Sequence, residues 1–331
     1  MIKNPHFPLK LRQARKVLGW SMDDLVERME GMVSKQSISR YERGQMHPKM
    51  DVLEKMAEIM GVEIPYFFDQ GMKTDTVCLR RTAVYELTTD EEEEISTRLA
   101  FWAERYVAME QKSGFFREFK NPLKGMTVEN VEDAIRAADL LRRVWNVGDG
   151  PICSVLRLLE RKGVRILQTE LPHEILGLST WADEAYPLIV LSDCKENTTV
   201  ERTRFTALHE LGHLLLEIPE DVDEERICNQ FAGAFLLPPS TLFEEIGKQR
   251  DEIGLKEAVD LHMLYGVSVA ALIHQALDLK IITREHYNWW FEEVIRKNRK
   301  EEGWGTYPFP ETLAREMRIS DIIKGASEKD K

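Results

Sequence analysis

Two histidines four residues apart, His209 and His213, lie in the run Arg204-Phe205-Thr206-Ala207-Leu208-His209-Glu210-Leu211-Gly212-His213-Leu214-Leu215-Leu216. On an α-helix this spacing projects both imidazoles from one face about a turn apart, where they can take two corners of a zinc tetrahedron. Glu210 then lies beside the metal, free to act as the base that takes a proton from water. Apolar residues surround both histidines, and an imidazole pair buried there without partners would cost stability. Gly212 costs the helix roughly 1 kcal/mol against alanine, which predicts that something approaches closely at that point.

A catalytic zinc keeps three protein ligands and one open position. The next helical run, Asp223-Glu224-Glu225-Arg226-Ile227-Cys228-Asn229, offers Glu224 and Glu225 as rival third ligands. Glu225 and Asn229 share a helix face, so Asn229 is placed to steady a ligand from behind. One Zn2+ per chain is the expected cofactor, although imidazole and carboxylate accept several divalent metals. Candidate donors to an oxyanion are His262, Tyr265, Tyr186 and His274, and the strand at 187–191 is expected to offer its edge to an extended peptide.

A second chemistry sits near the N-terminus. Ser21 with Asp24 three residues on marks a helix start, and that helix should stop at Gly31. Ser34 starts another, Lys35-Gln36-Ser37-Ile38-Ser39-Arg40-Tyr41-Glu42-Arg43, which Gly44 should end. Two short helices across a tight turn form the helix-turn-helix pattern. Ile38 should point inward, leaving Ser34, Lys35, Gln36, Ser39, Arg40 and Arg43 as candidate contacts to bases and phosphates. From 34 to 49, Lys35, Arg40, Arg43 and Lys49 against the single Glu42 make a basic patch.

The elements that must position these groups follow from pattern. The chain has 331 residues, 43% hydrophobic, enough for a sizeable core in two or three domains. Its net charge of −12 excludes a chain-wide electrostatic grip on nucleic acid but not a local patch. No run approaches a membrane span and the start lacks a signal-peptide core, so a cytoplasmic protein with no membrane contact is expected. Cys78, Cys153, Cys194 and Cys228 are far apart and read as reduced thiols. Helical patterns fill 1–70; a strand-like piece at 76–81 and a long helix from Asp90, with Glu91 to Glu94 in its first turn, open a helical linker region over 71–150. Residues 151–297 read as α+β, with a helix over 152–162, strands at 164–167, 177–181 and 187–191, and helices from Val200 onward. Within them 266–274 looks like another helix-turn-helix, expected to pack under the site. Residues 298–331 read as a C-terminal tail, poorly ordered or weakly docked.

The stretch VSKQSISRYERGQMHP, with VEIPYFF closing the domain, resembles the phage-repressor-like (Xre) helix-turn-helix family. It departs at Met22, where that family commonly has glutamine, and at Glu30-Gly31-Met32, which lengthens the turn. The runs ERTRFTALHELGHLLL and EERICNQFAGAFLLPP resemble the ImmA/IrrE family of zinc metallopeptidases, with Cys228 where that family usually has alanine. The resemblances imply a mainly α protein with a small β-sheet, a five-helix Xre-type domain followed by an α+β zincin-like domain. They imply His209, His213 and Glu225 as zinc ligands and a DNA-bound homodimer on a double-stranded operator. The implied function is a transcriptional regulator with an endopeptidase that cleaves a specific protein, a repressor, in stress response or in mobile-element or toxin-antitoxin regulation. The alternative is a repressor or antitoxin-like protein whose zinc fold only senses or binds a partner.

Overall fold

The computed structural model describes residues 6–68, 88–172, 175–193, 199–313 and 315–329. The strand-like piece at 76–81, Cys78 and Cys194 lie outside them. The N-terminal domain comprises α1 (Phe7–Val17), α2 (Met22–Arg28), α3 (Lys35–Glu42), α4 (Met50–Met60) and a closing 3-10 helix (Ile64–Phe67), the five helical segments expected. Ser21 Oγ accepts from Asp24 N at 3.1 Å while the Asp24 carboxylate accepts from Ser21 N at 2.7 Å, and Ser34 Oγ accepts from Ser37 N at 3.2 Å. Leu11, Leu25, Ile38, Met56 and Phe67 meet in the core. Arg15 binds both Glu42 oxygens, at 2.6 and 3.0 Å, locking α1 to α3.

The second part begins with α5 (Thr89–Ser113), capped by Thr88, which links the two cores. Its Glu104 accepts from Lys10 Nζ at 2.8 Å and its Phe101 meets Tyr66 edge-on. Then follow α6 (Val131–Trp145), α7 (Val155–Lys162), β1 (Arg165–Thr169), β2 (Gly177–Ala182), β3 (Tyr186–Ser192), α8 (Val200–Leu215) and α9 (Glu224–Leu236). After them come α10 (Pro239–Ile246), α11 (Leu255–Tyr265), α12 (Val269–Asp278), α13 (Arg284–Trp289), a π-helix (Trp290–Ile295), a 3-10 turn (Arg296–Asn298) and α14 (Arg315–Lys329). Within the span 71–150, α6 packs along α9 and shares one hydrophobic core with α7 to α12.

The sheet has the order β1-β3-β2, with β3 parallel to β1 and antiparallel to β2. β3 is therefore central. The edge expected of 187–191 is taken on both sides, because β1 crosses over to pair with the far side of the β2–β3 hairpin. Period-2 alternation sends Leu178 and Val190 against Ile95 and Leu99 of α5, while Ile189 and Leu191 face the core that α8 enters.

The weak docking expected of the tail is corrected by Trp304, Tyr307 and Glu311, all buried. Glu311 accepts hydrogen bonds at the start of α7 from Ser154 Oγ, Val155 N and Leu156 N, at 2.7 to 3.0 Å, where a carboxylate suits the helix dipole. It also pairs at 2.7 Å with Arg204, a fully buried residue of α8. Arg204 donates further to the carbonyls of Gly266, Ile152 and Tyr265 and lies 4.2 Å from the Tyr307 ring. The helix bearing the two histidines is thus tied to the tail by a buried, hydrogen-bonded charge pair.

Candidate metal centre

Helix α8 starts at Thr199, whose Oγ1 accepts from Arg202 N at 3.2 Å, and presents His209 and His213 one turn apart. Helix α9, capped by Asp223, crosses it at Gly212. A Cβ on Gly212 would lie 3.1 Å from Cys228 Sγ and 3.3 Å from Phe231 Cδ1, so the glycine permits the contact that its position predicted.

The crossing brings three donors together. His209 Nε2 and His213 Nε2 are 3.0 Å apart, Glu225 Oε2 is 3.3 Å from His209 Nε2, and Glu225 Oε1 is 3.4 Å from His213 Nε2. Tetrahedral zinc bonds of roughly 2.0–2.1 Å place nitrogen ligands about 3.3–3.4 Å apart, so the donor set fits the ion with little adjustment. The other ring nitrogens face away: His209 Nδ1 is 3.0 Å from Asn229 Oδ1, and His213 Nδ1 lies 3.4 Å from Glu224 Oε1 and 3.2 Å from Cys228 Sγ. His213, Glu224 and Cys228 form a second compact donor group. Cys228 is fully buried, so that group has little room for water, whereas nearly half of the Glu225 side chain is exposed.

Electrostatics of the first group favour a cation at its centre. Burial by itself would lower the His209 pKa, but the hydrogen bond to Glu225 and the charges of Glu210 and Glu225 raise it above the ordinary histidine value. Burial would raise the Glu225 carboxyl, yet its bonds to both imidazoles hold it well below the usual carboxylate range.

Glu210 is buried on the sheet side of α8. A Cβ on Gly177, at the start of β2, would lie 2.6 Å from Thr206 Cγ2, 3.2 Å from Glu210 Cγ and 3.3 Å from Glu210 Oε1. Only a bare backbone lets β2 come this close to Glu210 without displacing it. A cleft of about 820 Å³, lined by Glu225 and Asn229 of α9, His274 and Gln275 of α12 and Glu301, opens beside the group.

Of the four candidate oxyanion donors, His274 lines this cleft, with Nδ1 3.0 Å from Tyr287 Oη. The other three are turned to structural partners: His262 Nδ1 to Val267 O at 2.8 Å, Tyr265 Oη to Glu245 at 2.8 Å, and Tyr186 to the Arg165 guanidinium. The helix-turn-helix-like stretch 266–274 packs its Val269, Leu272 and Ile273 into the core, and α12 meets α9. On α3, Lys35, Gln36, Arg40 and Arg43 are exposed with Ser34 at the cap, Ser39 is half-buried, and Ile38 and Tyr41 point inward. Sequence reasoning missed Gly177, Glu311 and Glu301; a glycine opening a strand that is buried along most of its length is the one local signal among them.

Comparison with curated proteins gave no match. Residues 11–67 match the helix-turn-helix family model, and residues 159–277 match the peptidase M78 model, an IrrE N-terminal-like domain. The chain joins a helix-turn-helix DNA-binding domain to an IrrE/ImmA-like peptidase domain.

Proposed function

We propose that this chain is a transcriptional regulator whose second domain is a zinc-dependent endopeptidase acting on a specific protein, a repressor. The observation that carries this reading is the convergence of His209 Nε2, His213 Nε2 and the Glu225 carboxylate at 3.0 to 3.4 Å, with Glu210 on the same helix. In this reading those three side chains hold one zinc, and Asn229 and Glu224 accept the Nδ1 protons of His209 and His213, fixing the tautomers that leave Nε2 free to ligate. Zinc, when bound, supplies Lewis acidity and brings the pKa of water down to about 7. Glu210 accepts the proton from the attacking water at a carboxylate oxygen and returns it to the leaving amine. β2, an outer strand adjoining Glu210 through Gly177, takes the role first expected of 187–191 and offers its edge to the extended substrate.

At the other end, Ser34, Lys35, Gln36, Ser39, Arg40 and Arg43 are assigned to the operator, read by two copies of the chain in the cytoplasm. The test is Glu210→Gln, which keeps the ligands and removes the base. Wild type incubated with repressors encoded nearby should give a discrete cut that chelation abolishes and that Glu210→Gln lacks while retaining zinc. Equal cutting by both proteins refutes Glu210 as base, and zinc without cutting of any protein favours a sensing or partner-binding module.

A further inference from the structure

The cleft beside the metal group has one wall outside the matched peptidase segment. The π-helix and the 3-10 turn carry the chain to 299–301, where Arg299, Lys300 and Glu301 line the cleft opposite Arg226 of α9. This turn is held firmly. Asn298 Nδ2 donates to Glu302 O and Asn298 Oδ1 accepts from Glu302 N, both at 3.0 Å. Glu301 adopts φ of +54°, a conformation that costs a non-glycine residue about 1 kcal/mol or more, and its carboxylate accepts from Val269 N at 3.0 Å. Arg299 and Lys300 are therefore presented from a fixed backbone.

The charges of the lining are sorted by role. Every carboxylate there has a partner within the protein: Glu201 accepts from Tyr307 N, Asp223 from Arg226 N, Asp278 from Gln230, Glu301 from Val269 N, and Glu225 faces the imidazoles. Arg226, Arg299 and Lys300 are exposed, and among the described residues none of the three pairs with a carboxylate. With Arg202, which also lines the cleft, four exposed cations stand around it on a chain whose net charge is −12. Cations at the rim of a low-dielectric cleft focus the field and select partners of opposite charge.

We propose that this cleft selects acidic peptide segments, with Arg226, Arg299 and Lys300 binding Asp and Glu side chains next to the scissile bond. The proposal rests on the peptidase reading for the word scissile, and its test is kept separate by measuring binding. Full-length, zinc-loaded Glu210→Gln protein is titrated into a labelled peptide of about ten residues rich in Asp and Glu, and into its Asn and Gln counterpart, with fluorescence anisotropy as readout. The acidic peptide should bind about tenfold more tightly at low salt, and its advantage should shrink as salt screens the cleft. Adding Arg299→Glu and Lys300→Glu should abolish the preference while zinc content stays unchanged. Equal binding of the two peptides overturns the proposal, as does a preference that survives both substitutions. A loss of duplex-DNA binding in the Arg299→Glu, Lys300→Glu protein would assign these cations to nucleic acid and also overturn it. If wild type cuts no protein but the acidic preference holds, the peptidase reading fails and the cleft remains an acidic-peptide site.

Discussion

Glu311→Ala removes a carboxylate from a segment that sequence alone marks as tail. The side chain is 2% exposed and its partner Arg204 is 0% exposed. The substitution takes away the pair at 2.7 Å, the acceptor of Ser154 Oγ, and the acceptor of two amides at the start of α7. Removing one member of a buried pair costs about 3–5 kcal/mol, because the remaining charge is left without compensation. Losing the cap adds about 0.5–2 kcal/mol. Arg204 keeps three carbonyl acceptors and the Tyr307 face, which partly offsets the loss, so about 3–5 kcal/mol is the expected total. A residue in a loosely held tail would cost within about 0.5 kcal/mol. Urea denaturation followed by tryptophan fluorescence separates the two, since Trp145 and Trp304 both lie in the affected core. A cycle with Arg204→Met should show the double variant losing less than the sum of the singles, by about 0.5–3 kcal/mol. A Glu311→Ala loss below about 1 kcal/mol, or additive losses in the cycle, would refute the claim that the tail anchors α8.

Two further outcomes follow from the geometry. Asn229→Ala should weaken zinc binding about 10–100-fold in a chelator competition, since it frees His209 Nδ1 to rotate, and an unchanged affinity would remove Asn229 from that role. Burial raises the Glu160 carboxyl to about 7, against the charge of Arg315, so its share of stability is present below its unfolded value and lost as pH rises through about 7. Glu160→Gln should therefore gain on wild type by on the order of 2 kcal/mol between pH 5 and pH 8, and stability profiles that stay parallel would contradict it.

The readable parts of the molecule were those set by local rules. Caps at Ser21 and Ser34 and the one-turn spacing of His209 and His213 depend on residues within a few positions of each other, and Gly212 marked a close approach without saying that Cys228 and Phe231 of α9 would make it. The choice between Glu224 and Glu225 was not local. Adjacent helical residues point about 100° apart, and which of them meets both Nε2 atoms is set by how α9 crosses α8. The position of β3 inside the sheet was hidden for a similar reason, because strand order depends on a crossover and not on the strand's own alternation. Trp304 and Tyr307 gave no helical or strand period among their glycines and prolines, so the burial of Trp304 in the core and the docking of Tyr307 under Arg204 could not be read from pattern.

The central claim is that one metal is held by His209, His213 and Glu225 with Glu210 beside it as base. Elemental analysis of wild type, His209→Ala, Glu225→Ala, Glu224→Ala and Glu210→Gln, each purified alike, tests it most directly. About one zinc per chain is expected in wild type and Glu210→Gln, its loss in His209→Ala and Glu225→Ala, and a weakened but present site in Glu224→Ala. Zinc retained by Glu225→Ala and lost from Glu224→Ala would move the ion to the group formed by His213, Glu224 and Cys228 and contradict the account.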